Sequence, residues 1–208
     1  FIENIKGIST AKSMSIALDN DGNVFTWGLN DYGQLCTGDK SNKKLPVKVT
    51  LISNITKVEG GNKSVYAISD EGNLYAWGYN SNGQLGDGTN TTRLQPVQVT
   101  NLSGIIDISA STTEQALALK DDGTVWGFGY ATLGASIPKQ ISGIDGNRMK
   151  NIASISCGYY GGLAITDDGK VLAWGNNGYG ELGDGTNTST SVPVYVKESV
   201  DTELNSVF

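Results

Sequence analysis

The sequence repeats one pattern four times, and this period limits the folds that the chain can adopt. An acidic residue and a glycine precede a short apolar segment that ends in glycine, as DGNVFTWG, EGNLYAWG, DGTVWGFG and DGKVLAWG. The glycines of these turns, Gly22, Gly72, Gly123 and Gly169, are 50, 51 and 46 residues apart. A fixed period of this length indicates a repeat protein in which each unit packs on its neighbours.

Each unit contains four short extended segments separated by turn residues, and none has a sustained helical period. In the first unit, Phe25 and Trp27 alternate with Val24 and Thr26, which places the two aromatic rings on one face of a strand. Four strands repeated every ~40 to 50 residues are typical of β-propeller blades. We therefore predict an all-β fold of four-stranded antiparallel blades. A parallel β-helix is the alternative, but its coils are much shorter.

We predict a single domain over residues 1–208. Its repeats are expected at 1–50, 51–100, 101–142 and 143–203, with the start of a fifth at 204–208. Four blades would leave an apolar face uncovered on each of the two outer blades. We therefore expect a partial ring, or half of a ring that two chains form together. A homodimer that completes the ring is therefore one predicted assembly.

The third unit departs from the pattern in the segment that follows its third strand. Eighteen residues separate Gly78 from Pro96 in the second unit, whereas nine separate Gly129 from Pro138 in the third. The sequence GQLGDG is lost there, and we expect a different loop on this blade.

Composition excludes several classes of function. The chain has no histidine, which removes Ser-His-Asp and Cys-His catalytic groups and every His-ligated metal site. Its formal charge of −6 is unfavourable for binding nucleic acid. Cys36 and Cys157 are far apart in sequence and form no CxxC pair, so we expect free thiols rather than a zinc site. No apolar run approaches the ~18 residues of a membrane span, and the N-terminus lacks a signal-peptide pattern.

Two motifs resemble ligand sites, but each is better explained by a turn. Residues 178–183 match GxGxxG, yet the helix that a dinucleotide site needs is not predicted after them. Residues 19–23 resemble the start of a calcium loop, but Asn30 stands where the twelfth-position glutamate is required. We therefore predict no catalytic residue, no metal and no cofactor. A pair of loop carboxylates acting on a glycan remains an alternative.

The longest shared string resembles a known repeat. It comprises Trp77-Gly78, Asn80, Gly83-Gln84-Leu85-Gly86 and Pro96-Val97, and it recurs at 174–185 and, with Cys36, at 27–38. This string resembles the RCC1 repeat, named for the regulator of chromosome condensation. Proteins of that family form seven-bladed propellers, and they include a nuclear exchange factor for the GTPase Ran, ubiquitin-ligase modules and a secreted bacterial inhibitor of β-lactamases.

The resemblance implies a non-enzymatic protein–protein interaction module, of which an inhibitor-like binder is one variant. A guanine nucleotide exchange factor for a small GTPase and a carbohydrate-active hydrolase or lyase are the alternatives. The family's Gly-x-x-His-Thr stretch has no histidine here, which counts against exchange activity. The Asn- and Thr-rich units resemble the bacterial branch of the family. We therefore expect an extracellular or cell-surface location in a bacterium, with a protein partner.

Residues that vary between otherwise matched units are candidates for specificity. They lie in two loops of each unit, and tyrosine with neighbouring polar residues is typical of protein-binding surfaces. If both loops reach the same rim of the propeller, they form one contact surface. The predicted partner-binding residues are Tyr32, Asn62, Lys63, Tyr79, Tyr130, Tyr159, Tyr160 and Tyr179.

Overall fold

The computed structural model of the chain describes residues 1–129 and 135–198, which contain sixteen β-strands in four sheets. Blade 1 consists of β1 (Ile5–Ala11), β2 (Met14–Asp19), β3 (Val24–Gly28) and β4 (Lys43–Lys48). Blade 2 consists of β5 (Ile55–Gly60), β6 (Ser64–Ser69), β7 (Leu74–Gly78) and β8 (Arg93–Gln98). The predicted all-β fold of four-stranded antiparallel sheets is confirmed.

Blade 3 consists of β9 (Ile105–Ala110), β10 (Gln115–Lys120), β11 (Val125–Gly129) and β12 (Ala135–Gln140). Blade 4 consists of β13 (Ile152–Cys157), β14 (Gly161–Thr166), β15 (Val171–Gly175) and β16 (Thr190–Tyr195). In every blade each strand pairs antiparallel with the next along the chain. The described residues hold no helix, and hence none that is long and apolar enough to cross a membrane.

The acidic-glycine pairs form the hairpins between the second and third strands, as their sequence predicts. Gly22 has a φ of 78°, a conformation that glycine adopts without strain. A Cβ on Gly22 would lie 2.7 Å from the backbone nitrogen of Ile55. The glycine is therefore needed both for the turn and for the approach of blade 2.

Neighbouring blades pack face to face through apolar side chains. Ile16 and Leu18 of blade 1 lie in one buried cluster with Val58, Val65 and Trp77 of blade 2. Equivalent clusters join blade 2 to blade 3 and blade 3 to blade 4. The core is thus a series of inter-blade layers, as expected for a repeat protein.

The two outer blades each leave an apolar face exposed. Tyr66 and Ile68 of blade 2 are 1% and 2% exposed because blade 3 covers them. The equivalent residues of blade 4, Leu163 and Ile165, are 43% and 44% exposed. At the other end, Ile8 of blade 1 is 79% exposed. The four blades therefore present two uncovered faces of the kind that internal blades bury.

Antiparallel order places the loops on two rims. The loop between the first two strands of each blade and the loop between its last two strands lie at the same end of the sheet, which we call the upper rim. The second-to-third-strand hairpins and the connectors between blades lie at the lower rim. Both kinds of variable loop identified in the sequence therefore share one rim.

Candidate functional site

The upper-rim loops between the last two strands are built on a buried asparagine. The side chain of Asn80 is inaccessible to solvent, and its Oδ1 accepts a hydrogen bond from the backbone N–H of Leu85 at 2.9 Å. Its Nδ2 donates to Asp87 Oδ1 and to the carbonyl oxygens of Thr89 and Thr91 at 3.0 to 3.1 Å. Asn30 and Asn177 make the matching bonds in blades 1 and 4. The residues shared between units therefore hold the loop, which leaves the varied ones to define its surface.

Three of the predicted residues form a cluster across the junction of blades 1 and 2. The rings of Tyr32 and Tyr79 pack edge to face with centroids 4.7 Å apart. Lys63 Nζ lies 4.6 Å from the Tyr32 centroid and 5.1 Å from that of Tyr79. We call these three residues the tyrosine–lysine cluster. All are half-buried, so part of their role is to join the loops of adjacent blades.

Asn62 lies beside the tyrosine–lysine cluster, in the loop between β5 and β6. It is half-buried, and its backbone carbonyl accepts a 3.4 Å hydrogen bond from the N–H of Lys12 in blade 1. Tyr130 is outside the described residues, so its predicted place on the rim stays a prediction.

The most exposed predicted pair lies in the loop between β13 and β14. Tyr159 and Tyr160 are 61% and 45% exposed, and their rings pack edge to face at 4.4 Å. Blade 3 holds this loop in place, because Gln115 Nε2 donates to the carbonyls of Gly158 and Gly161 at 2.9 and 3.0 Å. The Thr113 hydroxyl also donates to the Tyr159 carbonyl. The aromatic pair is thus presented on an anchored backbone.

Tyr179 is the tip of the loop between β15 and β16 and is 94% exposed. It is the repeat equivalent of Tyr32, which packs on Lys63 of the next blade. Tyr179 therefore occupies a position that is covered at the junction of blades 1 and 2.

Two aspartates of the upper-rim loops, Asp39 and Asp87, have lowered pKa values because each carboxylate accepts several hydrogen bonds. Bonds from Lys43, Thr37 and the Ser41 backbone lower the pKa of Asp39 to about 2. Burial alone would raise the pKa of Asp87, but donors that include Thr89 and Arg93 bring it below its usual value. Carboxyls held in this form are poor general acids near neutral pH.

Both cysteines are free thiols, and burial disfavours the thiolate form of each. Burial raises the pKa of Cys36 and the pKa of Cys157 to about 12. Within residues 1–129 and 135–198, no group of three or more acidic or cysteine side chains is placed to hold a metal ion.

The lower rim carries a cleft that was not predicted from the sequence. The connector between blades 3 and 4 has eleven residues, 141–151, whereas the two earlier connectors have six, 49–54 and 99–104. It borders a cavity of about 1280 Å³ whose lining includes Trp126, Arg148 and Tyr195. The signal was present in the spacing, since Pro138 precedes Ile152 by fourteen residues, whereas Pro96 precedes Ile105 by nine.

Comparison with known families agrees with the architecture. A family model described as "Regulator of chromosome condensation (RCC1) repeat" matches residues 21–68, 71–113 and 168–207. A second model of the same description matches residues 55–84 and 152–181. Neither model matches residues 114–151, which include the shortened segment of the third unit.

Relatives extend over almost the whole chain. The human E3 ubiquitin-protein ligase HERC2 is 33% identical over 206 residues, covering 94% of this chain and 4% of the ligase. The ultraviolet-B receptor UVR8 of Arabidopsis thaliana is 30% identical over 210 residues, covering 95% of this chain and 47% of the receptor. The chain thus spans less than half of each of these relatives. Both organisms are eukaryotes, and the expected bacterial setting stays a prediction.

Solved structures support the same fold. Human WBSCR16 superposes with a TM-score of 0.82 at 24% identity, over 95% of this chain and 54% of that protein. Yeast RCC1 (Prp20), in its complex with Kap60, superposes with a TM-score of 0.78 at 21% identity, over 96% of this chain and 50% of that protein. Identities at this level show the fold alone. With the family models matching more than half of its residues, the chain belongs to the RCC1 repeat family.

Proposed function

We propose that the chain is a non-catalytic protein-binding module that contacts its partner with the upper rim. The observation that carries this proposal is the Tyr159–Tyr160 pair, which is exposed yet rests on a loop anchored by blade 3. Rigid aromatic side chains bury a large area at low entropic cost, which is why tyrosine is enriched at the centre of protein interfaces. The tyrosine–lysine cluster extends the same rim towards blade 1.

The solved relatives support the class of function. Yeast RCC1 was solved bound to Kap60, and a second structure of the same yeast protein, Prp20p, is described together with its binding to Gsp1p and histones. These partners are those of the yeast protein. This chain matches only 4% of the length of the ubiquitin ligase HERC2, and the proposal for this chain does not include ligase activity.

An inhibitor-like binder, whose rim blocks a partner's cleft, is a finer variant of the same proposal. Guanine nucleotide exchange on a small GTPase is the alternative function. A nucleotide-release assay on purified GTPases with the chain in excess would detect it. The setting that we propose is the bacterial surface.

The experiment is site-specific photo-crosslinking with a matched control. A benzophenone amino acid replaces Tyr160 in one version and Tyr195 in the other, because these tyrosines are 45% and 46% exposed but only Tyr160 is on the upper rim. Each protein is irradiated in extract and in culture medium of the source organism, and the products are identified by mass spectrometry.

We expect one protein to cross-link from position 160 and not from position 195. Adding Tyr159→Ala to the position-160 version should reduce its yield, because the aromatic pair is lost. Equal products from both positions, or a yield that Tyr159→Ala does not change, would overturn the use of this rim.

A further inference from the structure

Two departures from the repeat meet at the lower-rim cavity. One is the connector 141–151, which is nearly twice as long as the connectors at the two earlier junctions. The other is Tyr195, which lies opposite Leu172 in the pairing of β15 with β16. The matching last-strand positions of the other three blades hold polar side chains, namely Lys48, Gln98 and Gln140. Because both departures line the same cavity, it is a candidate ligand site.

The long connector forms an ordered wall of the cavity. Ser142 and Arg148 pair as an antiparallel bridge, which closes a small hairpin. At its tip, the Asp145 carboxylate accepts hydrogen bonds from the backbone N–H of Asn147 at 3.0 Å and from its Nδ2 at 2.7 Å. At its base, Met149 is 2% exposed and lies in the cluster that joins blades 3 and 4. A ligand therefore meets a wall that is already held in place.

Two aromatic side chains line the cavity. Trp126 is half-buried and packs in part against the cluster of blades 2 and 3. Its Nε1 donates to the Thr124 hydroxyl at 3.1 Å, which fixes the ring. Tyr195 is 46% exposed. Both side chains offer apolar ring surface to a ligand.

Polar side chains around these rings are available for hydrogen bonds. Within the described residues, the side chains of Gln140, Arg148, Asn151 and Asp167 make no hydrogen bond or ion pair. The guanidinium group only donates, the carboxylate only accepts, and the two amides do both. The lining can therefore serve a ligand whose groups are donors and acceptors at once.

The composition of the lining selects among classes of ligand. Three basic and four acidic side chains line the cavity, so an anion gains no net attraction there. An apolar ligand would leave these charges desolvated. A peptide that adds as a strand needs an exposed sheet edge. Of the described edge strands, only the final residues of β12 and β16, Gln140 and Tyr195, line the cavity.

We infer that the lower-rim cavity binds a neutral oligosaccharide, with sugar rings stacked on Trp126 and Tyr195 and hydroxyl groups bonded to Arg148 and Asn151. A pyranose ring has an apolar C–H face, and each of its hydroxyls both donates and accepts. The volume of about 1280 Å³ exceeds the ~300–1,000 Å³ of typical small-molecule sites, so it accommodates several sugar units. The site is separate from the upper-rim surface and adds a second binding function.

The described course of the chain leads away from this cavity. β11 ends and β12 begins at the upper rim, which is the opposite end of blade 3. After β16, the Val196 N–H bonds to the Val171 carbonyl, as the Val49 N–H bonds to that of Val24. Val49 packs in the junction with the following blade. The chain therefore leaves β16 towards the face of blade 4 that is turned away from blade 3.

The carboxylates of the cavity favour binding over cleavage. A hydrogen bond from Thr124 lowers the pKa of Asp122. Hydrogen bonds from Lys170 and Thr166 lower the pKa of Asp168 to about 2. Glycoside hydrolysis needs a carboxylic acid whose pKa is raised, which neither of these residues provides.

The probes are four neutral tetrasaccharides, cellotetraose, maltotetraose, mannotetraose and chitotetraose. The full chain labelled with ¹⁵N is titrated with each, and the indole N–H resonances of its four tryptophans are followed. We expect at least one sugar to move the Trp126 resonance, while those of Trp27, Trp77 and Trp174 stay in place. Inorganic phosphate, the anionic probe, should move none of them.

Matched variants test the assigned contacts with the sugar that binds. Tyr195→Ala should weaken binding about fivefold or more, whereas Tyr195→Phe keeps the ring and should retain the affinity within about twofold. Arg148→Ala should also weaken binding about fivefold. Lys139→Ala is its control, because Lys139 is an exposed basic residue of β12 that is not among the lining residues.

Three results would overturn the inference. The first is a Trp126 resonance that none of the four sugars moves. The second is a resonance that phosphate moves and the sugars do not, which would make the cavity an anion site. The third is sugar binding that Tyr195→Ala leaves at full affinity.

Discussion

Tyr32 of blade 1 packs edge to face against Tyr79 of blade 2, and Lys63 lies over both rings. Two loops from different repeats are thereby joined on the upper rim. A lysine near two aromatic faces gains cation–π attraction, worth about 1 kcal/mol at a half-buried site. The contact is therefore both a candidate binding surface and part of what orders the two blades.

Replacing Lys63 with methionine should destabilise the chain by about 1 kcal/mol, because the aliphatic stem is kept and the cation is lost. Chemical denaturation followed by tryptophan fluorescence measures the change. Lys12→Met, at an exposed position across the same junction, is the control and should alter stability by less than about 0.5 kcal/mol. Equal effects of the two substitutions would contradict the cation–π assignment.

The equivalent tryptophans of blades 2 and 4, Trp77 and Trp174, should respond differently to phenylalanine. Trp77 Nε1 donates to the carbonyl oxygen of Gln34 at 2.9 Å, whereas the buried Trp174 Nε1 has no acceptor among the described residues. Both variants lose ring volume, but only Trp77→Phe removes this hydrogen bond and leaves the Gln34 carbonyl without its donor. We expect Trp77→Phe to cost about 1 kcal/mol or more beyond the cost of Trp174→Phe. The difference in unfolding free energy between the two variants measures this bond. A larger loss for Trp174→Phe would mean that its indole N–H has a partner.

Asn80→Ala should be one of the most damaging changes in an upper-rim loop. It removes the acceptor for the Leu85 N–H and the donor to three loop oxygens, all at a buried site. A loss of about 2 to 3 kcal/mol is expected from these unsatisfied groups. Asn90→Ala, in the same loop but exposed, is the matched control and should be nearly neutral. Limited proteolysis locates the effect: we expect cleavage in this loop to become faster in Asn80→Ala and to stay unchanged in Asn90→Ala.

The lowered pKa of Asp87 predicts how the second blade responds to acid. Burial would raise this pKa, but hydrogen bonds from Thr89, Arg93 and Asn80 lower it overall. A carboxyl with a lowered folded-state pKa stabilises the protein above its unfolded pKa of about 4, and this contribution is lost as the pH falls through the folded value. Asp87→Asn should therefore flatten the fall in stability below about pH 4. An identical pH profile would show that the carboxylate contributes nothing.

The blades could be predicted from sequence because their determinants are local. The Asp-Gly turns and the alternation in VFTWG specify a hairpin and a strand within a few residues. The contact of Lys63 with Tyr32 could not be predicted, because it joins positions 31 residues apart whose approach depends on how blades stack.

The unbonded indole N–H of Trp174 could not be predicted either. The sequence does not show that its equivalent, Trp77, donates a hydrogen bond to a carbonyl of the preceding repeat, so nothing in it indicates that Trp174 lacks such an acceptor among the described residues. At the junction of blades 2 and 3, Phe128 stands at the position of Trp77 and has no ring N–H to donate. The carbonyl of Gln84, which is the repeat equivalent of Gln34, instead accepts a hydrogen bond from the buried Tyr66 hydroxyl at 2.6 Å.

The exposed end faces predict self-association of the four-blade chain. Leu163 and Ile165 of blade 4 lie at positions that a neighbouring blade buries elsewhere in the chain. Ile8 is exposed on the opposite end face, on blade 1. Its repeat equivalents in blades 2 and 3, Val58 and Ile108, are only 6% and 1% exposed. Joining an end face of one copy to the other end of a second would repeat the internal junction and remove apolar surface from water.

We therefore expect the mass measured by light scattering to rise with concentration towards two chains. Leu163→Asp should hold it at one chain, because its charge would be buried against the apolar end face of the second copy. Ile106→Asp is the control: Ile106 is 56% exposed on the internal blade 3, and its substitution should leave the two-chain species intact. If the wild-type chain keeps a one-chain mass at every concentration, these faces do not hold two copies together and the predicted homodimer is wrong.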